Sequence, residues 1–347
     1  MRPSVSLTAV ETANPPFVYD AESLRQAAAE WLDPTTSHYQ LFERLASAIG
    51  VKSRHYAISH QQVLALGGMK ERAELFSNSA PELIATAAQK ALSSRKLLGT
   101  AISSLVYSSC TVPSIPCIDT SLVDSLNMRR TVRRVPMYQQ GCAGGVAGLG
   151  LSFALAREAP VMLSCVELCS LVLHPQDLTS ESILSAILFG DGAACAIIEP
   201  GEDGLRFVDS QSYLLPNSRH IMGYRPEDDG PHLLLDRALP DLLAAEVPKI
   251  GAAFLERNGL TAEDVKWWLF HPGGTKILES FEQSFKLSRE QTRWAWDVLA
   301  EDGNMSSVTI LYALKAFLES RAFSSGDRVL VVGIGPGLTV ELILLSC

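Results

Sequence analysis

Three residues stand where side chains do chemistry rather than fill space. Cys142 lies in the run Tyr138-Gln139-Gln140-Gly141-Cys142-Ala143-Gly144-Gly145. The apolar β-formers of 131–137 read as a strand entering a core, and the Ala- and Leu-rich stretch 146–157 as a helix. The thiol is therefore expected at a tight strand-to-helix turn, where Gly141 and Gly144 permit backbone angles and close approaches that a side chain blocks. A helix N-terminus favours the thiolate through its dipole. The same stretch also suits a buried cysteine in a glycine-rich packing contact, because free cysteine behaves as a small hydrophobe. His271 ends the apolar run 265–270 and opens a Pro-Gly-Gly turn, and Asn304 follows Gly303 and opens a helix reaching about Ser320. Alone, the histidine reads as structural and the asparagine as an ordinary N-cap. Together, a cysteine and a histidine give a thiolate–imidazolium nucleophile. The asparagine amide and a histidine N–H give two donors for one oxygen, able to stabilise the enolate left when a malonyl thioester loses carbon dioxide.

The elements that must position these groups alternate along the chain. A strand-like segment precedes the Pro15-Pro16 loop, and helices are expected at 21–32, 39–50 and 80–97. A buried strand runs to Cys110, a loop with two prolines follows at 111–116, and a helix at 117–126. A strand at 159–169 precedes a loop at 174–177, and 187–198 reads as a buried strand pair hinged at glycine. A boundary at 200–204 separates the halves 1–203 and 204–347. Beyond it come a strand at 205–215, an acidic loop at 226–230, a helix at 240–259, the strand delivering His271, and a helix from Thr275. The chain closes with strands 328–334 and 338–345. Strands alternating with helices define an α/β class, and the carboxyl ends of such strands are where sites collect. Arg44, Lys52, Arg54 and His55 lie in or after the second helix, either as a solvated helix end or as a site for a phosphorylated tail.

The 347 residues suffice for one large α/β unit or two domains sharing a core. The chain is 47% hydrophobic with net charge −9 and no basic run, which argues against nucleic acid as the main partner. No secretory leader is read at the N-terminus, and no run of about 18 apolar residues spans a membrane. A cytoplasmic protein is expected. The seven cysteines form no Cys-x-x-Cys; Cys165 and Cys169, placed on a helix, find no histidine or second pair to complete a zinc set. No metal is expected.

The sequence resembles the type III polyketide synthases, the chalcone/stilbene synthase superfamily on the thiolase fold. The resemblance is carried by Thr12-Ala13-Asn14-Pro15-Pro16, the run 138–145, Leu188-Phe189-Gly190-Asp191-Gly192-Ala193-Ala194, His271-Pro272-Gly273-Gly274, Gly303-Asn304-Met305-Ser306-Ser307 and the run 333–341, in that order. It implies a layered α-β-α-β-α fold of two related halves. It implies that Cys142 carries the starter acyl group and then the growing chain, that His271 holds Cys142 as thiolate, and that His271 and Asn304 bind the malonyl thioester oxygen. Phe189 matches an aromatic gatekeeper, and the second gatekeeper position is Leu233, where many plant members have Phe. Arg44 matches one basic residue of the coenzyme A entrance, but two neighbouring basic positions fall on Leu41 and Ala48. Lys276, beside Gly273 and joined by Lys52, is the expected compensation. The cavity is expected to include Cys110, Thr111, Cys169, Val172, Tyr224 and Ser306, and Ile115 to reach into the partner's cavity of a homodimer. Coenzyme A thioesters are substrates, malonyl-CoA and an acyl-CoA starter, and no cofactor is implied.

The cavity residues point two ways. Cys110, Cys169 and Tyr224 resemble the bacterial tetrahydroxynaphthalene synthases, which prime with malonyl units. The runs 166–170 and 271–276 resemble alkylpyrone and alkylresorcinol synthases, which use fatty acyl starters. The acyl-primed reaction, closing to a pyrone or resorcinol, is the favoured expectation. Two other readings compete: a ketoacyl-synthase-III-like condensing enzyme, which carrier-protein dependence would favour, and a non-catalytic partner subunit, in which Cys142 would show no unusual reactivity.

Overall fold

A helix that is apolar all round belongs inside a protein, and 144–155 is such a helix. In the computed structural model, which describes residues 4–347, it is buried between two walls of one sheet. Before residue 201 the chain forms strands β1 (Val5–Ala13), β2 (Phe17–Asp20), β3 (Ser53–Tyr56), β4 (Ser104–Ser108), β5 (Arg133–Met137), β6 (Val161–Leu168) and β7 (Asp191–Pro200). Its helices there are α1 (Ala21–Trp31), α2 (Ser37–Ile49), α3 (His60–Leu64), α4 (Met69–Ser94), α5 (Asp119–Ser125), α6 (Gly144–Leu155) and α7 (Ser180–Leu188). The remainder forms β8 (Leu205–Leu214), β9 (Met222–Glu227), β10 (Gly230–Leu235), β11 (Trp267–Phe270), β12 (Arg328–Gly335) and β13 (Thr339–Ser346). With them come α8 (Leu239–Arg257), α9 (Thr275–Phe285), α10 (Arg289–Asp302) and α11 (Thr309–Ser320).

Nine strands make one sheet in the order β11-β12-β13-β8-β1-β7-β6-β4-β5. Helix α6 packs on β4 and β6 near one end and on β12 and β13 near the other. A flat sheet would hold those strands about 4.8 Å apart per step, too far for one helix to span. The sheet therefore curls around α6 and α11, with α4 outside one wall and α8, α9 and α10 outside the other. The α-β-α-β-α layering and the α/β class follow from these contacts. The buried residues divide the same way. Val146, Leu149, Ile310 and Leu314 form the central core, Phe76, Ile84 and Ala88 one outer core, and Phe254, Trp268 and Phe281 the other. The two walls join along one seam, where β1 meets β8 through Ser6↔Arg206 and Leu7↔Leu205. No helix among the described residues is long and apolar enough to cross a membrane.

Five local expectations are corrected. Residues 187–188 end helix α7, whose cap Thr179 accepts from the Ser182 N–H, and β7 begins only at Asp191. A continuous apolar run does not separate helix from strand, and this one held both. Cys165 and Cys169 lie on β6 and in the 3-10 turn after it, not on one helix. The helix expected from residue 80 starts at Met69 and carries Pro81 in its interior. The strand 131–137 is β5, the half-exposed edge of the sheet, rather than a strand entering the core. The acidic loop 226–230 is the turn of a hairpin, since β9 and β10 pair from Glu227↔Gly230 to Met222↔Leu235.

Candidate functional site

The corner that holds Cys142 is shaped by what glycine lacks. The chain leaves β5, makes a single 3-10 turn at Gly141–Ala143 and enters α6. Gly141 has φ +52°, in the left-handed region, and a Cβ there would overlap the Pro336 ring. A Cβ at Gly145 would overlap the Ser307 carbonyl oxygen. The loop from β12 to β13 and the turn after Asn304 are thus pressed against the nucleophile corner, through positions open only to glycine.

Asn304 is fixed from both ends of its backbone. Its N–H donates to the Leu188 carbonyl at 2.9 Å and its carbonyl accepts from the Gly190 N–H at 3.0 Å. This isolated parallel bridge sets Phe189 directly beside it. Its side-chain Oδ1 accepts from the Ser306 N–H at 2.8 Å and from the Thr309 hydroxyl at 3.5 Å. With Oδ1 so engaged, the Nδ2 amide is the remaining donor edge. Ser306 has φ +50°, a backbone conformation that non-glycine residues hold only where the surroundings impose it. That conformation puts its hydroxyl 3.5 Å from Cys142 Sγ and 3.2 Å from Cys110 Sγ.

Beneath these residues lies a carboxylate that the sequence reading did not single out. Glu167, in the fully buried β6, accepts from the Cys110 and Thr111 N–H groups at 2.9 and 3.1 Å and from the Ser307 hydroxyl at 2.5 Å. Burial raises its pKa, and these hydrogen bonds oppose the rise. The available signal was one acid in the apolar strand 161–168. Glu167 organises Cys110 and Thr111 from below, and its charge discourages ionisation of the thiols above it.

Burial disfavours the charged form of both members of the expected nucleophile pair. Burial pushes the Cys142 thiol up to about 11, with the Ser306 hydroxyl acting in the other direction and Glu167 adding to the rise. Burial alone pushes the His271 imidazole down to about 4. His271 is buried, and neither ring nitrogen has a hydrogen-bond partner among the described residues. The expected dipole-favoured thiolate is therefore not the form this environment favours: desolvation of both groups outweighs the helix terminus. Two orphaned ring nitrogens on a buried histidine mark a group poised for a partner that brings its own donor or acceptor.

The remaining expected site residues separate into two groups. Cys110 and Cys169 are buried thiols raised by desolvation first and by Glu167 second. Thr111 is fully buried, its hydroxyl accepting from the Leu168 N–H at 3.2 Å. Val172 ends the 3-10 turn after β6. Tyr224 and Leu233 are direct cross-strand partners on the β9–β10 hairpin. Tyr224 exposes 38% of its surface, and its phenol is pushed up by desolvation first and then by the charges of Cys110, Cys169, Glu167 and Cys142. Ile115 is fully exposed at the tip of the loop after β4. The expected coenzyme A residues gather where α2 meets α9. The Thr275 hydroxyl donates to the Ala48 carbonyl at 3.3 Å, and Arg44, Lys52 and Lys276 are exposed around that junction, with Gly273 half-buried beside it. An apolar hollow lined by Leu24, Trp31, Phe42, Val63 and Leu173 lies between α1, α2, α3 and α7 and contains none of the expected site residues.

Comparison with known proteins meets this geometry. Residues 5–202 match the N-terminal domain model of the chalcone and stilbene synthases, and residues 206–347 match the C-terminal one. The chain belongs to this family and is a type III polyketide synthase, an acyltransferase class that uses coenzyme A thioesters without a resident metal or organic cofactor. It is 31% identical to a 1,3,6,8-tetrahydroxynaphthalene synthase of Streptomyces peucetius subsp. caesius, over 98% of this chain and 92% of that protein. It is 30% identical to an alpha-pyrone synthesis polyketide synthase-like protein of Mycobacterium tuberculosis, over 79% of this chain and 72% of that one. The crystal structure of the tetrahydroxynaphthalene synthase of Streptomyces coelicolor A3(2) superposes with a TM-score of 0.94 at 28% identity, covering 98% of this chain and 99% of that one.

Proposed function

We propose that Cys142, His271 and Asn304 carry an iterative decarboxylative condensation of malonyl-CoA onto an acyl group held on Cys142. The observation that supports it best is the Asn304 side chain, whose oxygen is engaged and whose amide donors remain. In loading, a His271 ring nitrogen takes the Cys142 proton, the sulfur attacks the acyl-CoA carbonyl, and coenzyme A leaves with a proton. In extension, the malonyl thioester oxygen sits between the Asn304 amide and a His271 N–H while its C–C bond to carbon dioxide breaks. The enolate carbon then forms a C–C bond to the acyl carbonyl, and the Cys142 C–S bond breaks. Transfer of the lengthened chain back to Cys142 frees coenzyme A for the next cycle. A low dielectric makes such donors strong once the substrate supplies the charge.

The starter in this reading is an acyl-CoA and the product a pyrone or resorcinol. The aliphatic pair Leu233 and Val172 on the cavity wall supports it, with Phe189 held beside Asn304 as a gate. A second reading, malonyl priming to a naphthalene, is favoured by the Tyr224 phenol among Cys110, Cys169 and Cys142. Arg44, Lys52, Gly273 and Lys276 receive the phosphates of coenzyme A, helped by the free N–H groups at the start of α9, which has no side-chain cap. The enzyme works as a cytoplasmic homodimer, the exposed Ile115 entering the partner's cavity, and its halves divide at 203/204. Mass spectrometry of products from malonyl-CoA, alone and with acyl-CoA starters from acetyl to palmitoyl, tests the reading. Pyrones or resorcinols only with an acyl starter are expected. A pentaketide naphthalene from malonyl-CoA alone selects the second reading. No product, with Cys142→Ala indistinguishable from the unsubstituted enzyme, overturns both.

A further inference from the structure

The β9–β10 hairpin is not part of the nine-stranded sheet, yet it carries Tyr224 and Leu233. What holds it in place is a knot of charge behind Leu233. His232, 7% exposed, has Nδ1 3.0 Å from Asp177 Oδ2 and Nε2 2.9 Å from Asp229 Oδ1, with Glu227 Oε2 at 3.9 Å. Asp229 and Glu227 belong to the hairpin, but Asp177 belongs to the segment leading into α7. The His232 ring stacks on His174 at 3.8 Å and 20°. His174 is oriented in turn: its Nε2 lies 3.0 Å from the Pro231 carbonyl and its Nδ1 3.3 Å from Arg72 Nη2 and 3.3 Å from Asp229 Oδ2. Arg72, buried on α4, also donates to the Leu171 and Leu173 carbonyls.

The proton inventory follows from the partners. A neutral imidazole carries one N–H, and both His232 nitrogens face carboxylate oxygens on different segments, so only the imidazolium satisfies both. His174 donates from Nε2 to the Pro231 carbonyl, while its Nδ1 is shared at 3.3 Å between the Arg72 guanidinium and Asp229 Oδ2; Arg72, a permanent donor, takes that lone pair, which leaves His174 neutral. His174, His232 and Asp229 bring possible metal-ligand atoms within 4.8 Å of one another. Nearly parallel rings, however, send their lone pairs side by side rather than to a common point, and the Arg72 guanidinium competes for His174 Nδ1.

We propose that His232 is a positioning residue for the cavity wall: by bridging Asp177 and Asp229 as an imidazolium it ties the β9–β10 hairpin to the segment before α7, so the placement of Tyr224 and Leu233 is linked to one proton. Its bearing on the product rests on the reading that Tyr224 and Leu233 face the substrate. Burial works against the charge on His232, but the hydrogen bonds of Asp229 and Asp177 and the charges of Asp229 and Glu227 outweigh it and raise the pKa. His174 moves the other way, through burial, Arg72 and His232. The tie contributed by His232 is therefore fully present below the free-histidine value of about 6.5 and is lost as pH rises through the raised folded value.

Hydrogen exchange over residues 222–235, corrected for the intrinsic rate and followed from pH 6 to 9, tests the tie without any substrate. In the unsubstituted enzyme, protection of this hairpin should fall by about tenfold, the scale of losing one hydrogen bond to a charged group, while protection of β12 stays level. His232→Ala and Asp177→Asn should remove the pH dependence and leave the hairpin at its high-pH protection. Nitrogen chemical shifts of the imidazoles should show His232 doubly protonated and His174 singly protonated at pH 7. A neutral His232, flat exchange in the unsubstituted enzyme, or one zinc per chain by elemental analysis would overturn the proposal, whether or not product is made. With an active starter, both variants should also shift the distribution of product chain lengths toward that of the unsubstituted enzyme at high pH; an unchanged distribution would overturn the link to the cavity.

Discussion

The two walls around the Cys142 thiol are built on opposite principles. One is the corner of β5, α6 and the loop between β12 and β13, where glycines let backbones press together and desolvation dominates the Cys142 thiol. The other is the β9–β10 hairpin, joined to the rest by histidines, carboxylates and a guanidinium, and partly open to water. Close packing of backbones leaves no room for gradual change, since interiors are as dense as crystals. Hydrogen-bonded charges on a separate two-stranded sheet can be exchanged one at a time. On the proposed mechanism, chemistry common to all substrates belongs on the first wall, and discrimination between substrates on the second.

The contrast can be broken most severely at the sulfur. Cys142→Ala should lower condensation by about ten-thousand-fold or more, the scale of losing a nucleophile, while leaving the hairpin's exchange protection unchanged. The next largest effect concerns its protonation. A thiol at about 11 should alkylate with iodoacetamide about a hundredfold or more slower at pH 7 than a free cysteine near 8.5, rising tenfold per pH unit. Fast alkylation that levels off below pH 8 would mean that His271 already holds the thiolate. Gly145→Ala should destabilise the fold by about 1–3 kcal/mol in urea unfolding, because the new Cβ meets backbone at Ser307 that has nowhere to move. Smallest is Lys276→Ala, which removes one exposed cation worth ~1 kcal/mol toward a phosphate. The malonyl-CoA KM should rise about fivefold, less so at high salt, with kcat unchanged; no change would remove Lys276 from the entrance.

The rigid wall was the more legible of the two from sequence. Its signals are single residue types with strict requirements: Gly beside Cys142, Gly before Asn304, Pro-Gly-Gly after His271. Glu167 escaped notice because a lone acid in an apolar strand has no periodicity to mark it, and its partners are two backbone N–H groups and the hydroxyl of Ser307, distant in sequence. The acidic run 226–230 read as a loop because proline and two aspartates outweigh the short alternation on either side. The nearby His232 and His174 make sense only when Asp177 and Arg72, distant in sequence from one or the other, arrive beside them. The opposition to the thiolate was hidden for a related reason: a helix terminus is visible locally, whereas desolvation depends on everything that folds over it.

On the proposed mechanism, the distance in sequence between the parts joined at the β1–β8 seam also bears on when this enzyme becomes active as it folds. Cys142 lies before β8 in sequence, His271 and Asn304 lie after it, and the Phe189–Asn304 bridge crosses between them. Contacts this distant in sequence form late, because loop closure precedes any gain from them. During refolding, helix content should recover first and condensation activity last, so the centre of the reaction is also the final milestone of assembly.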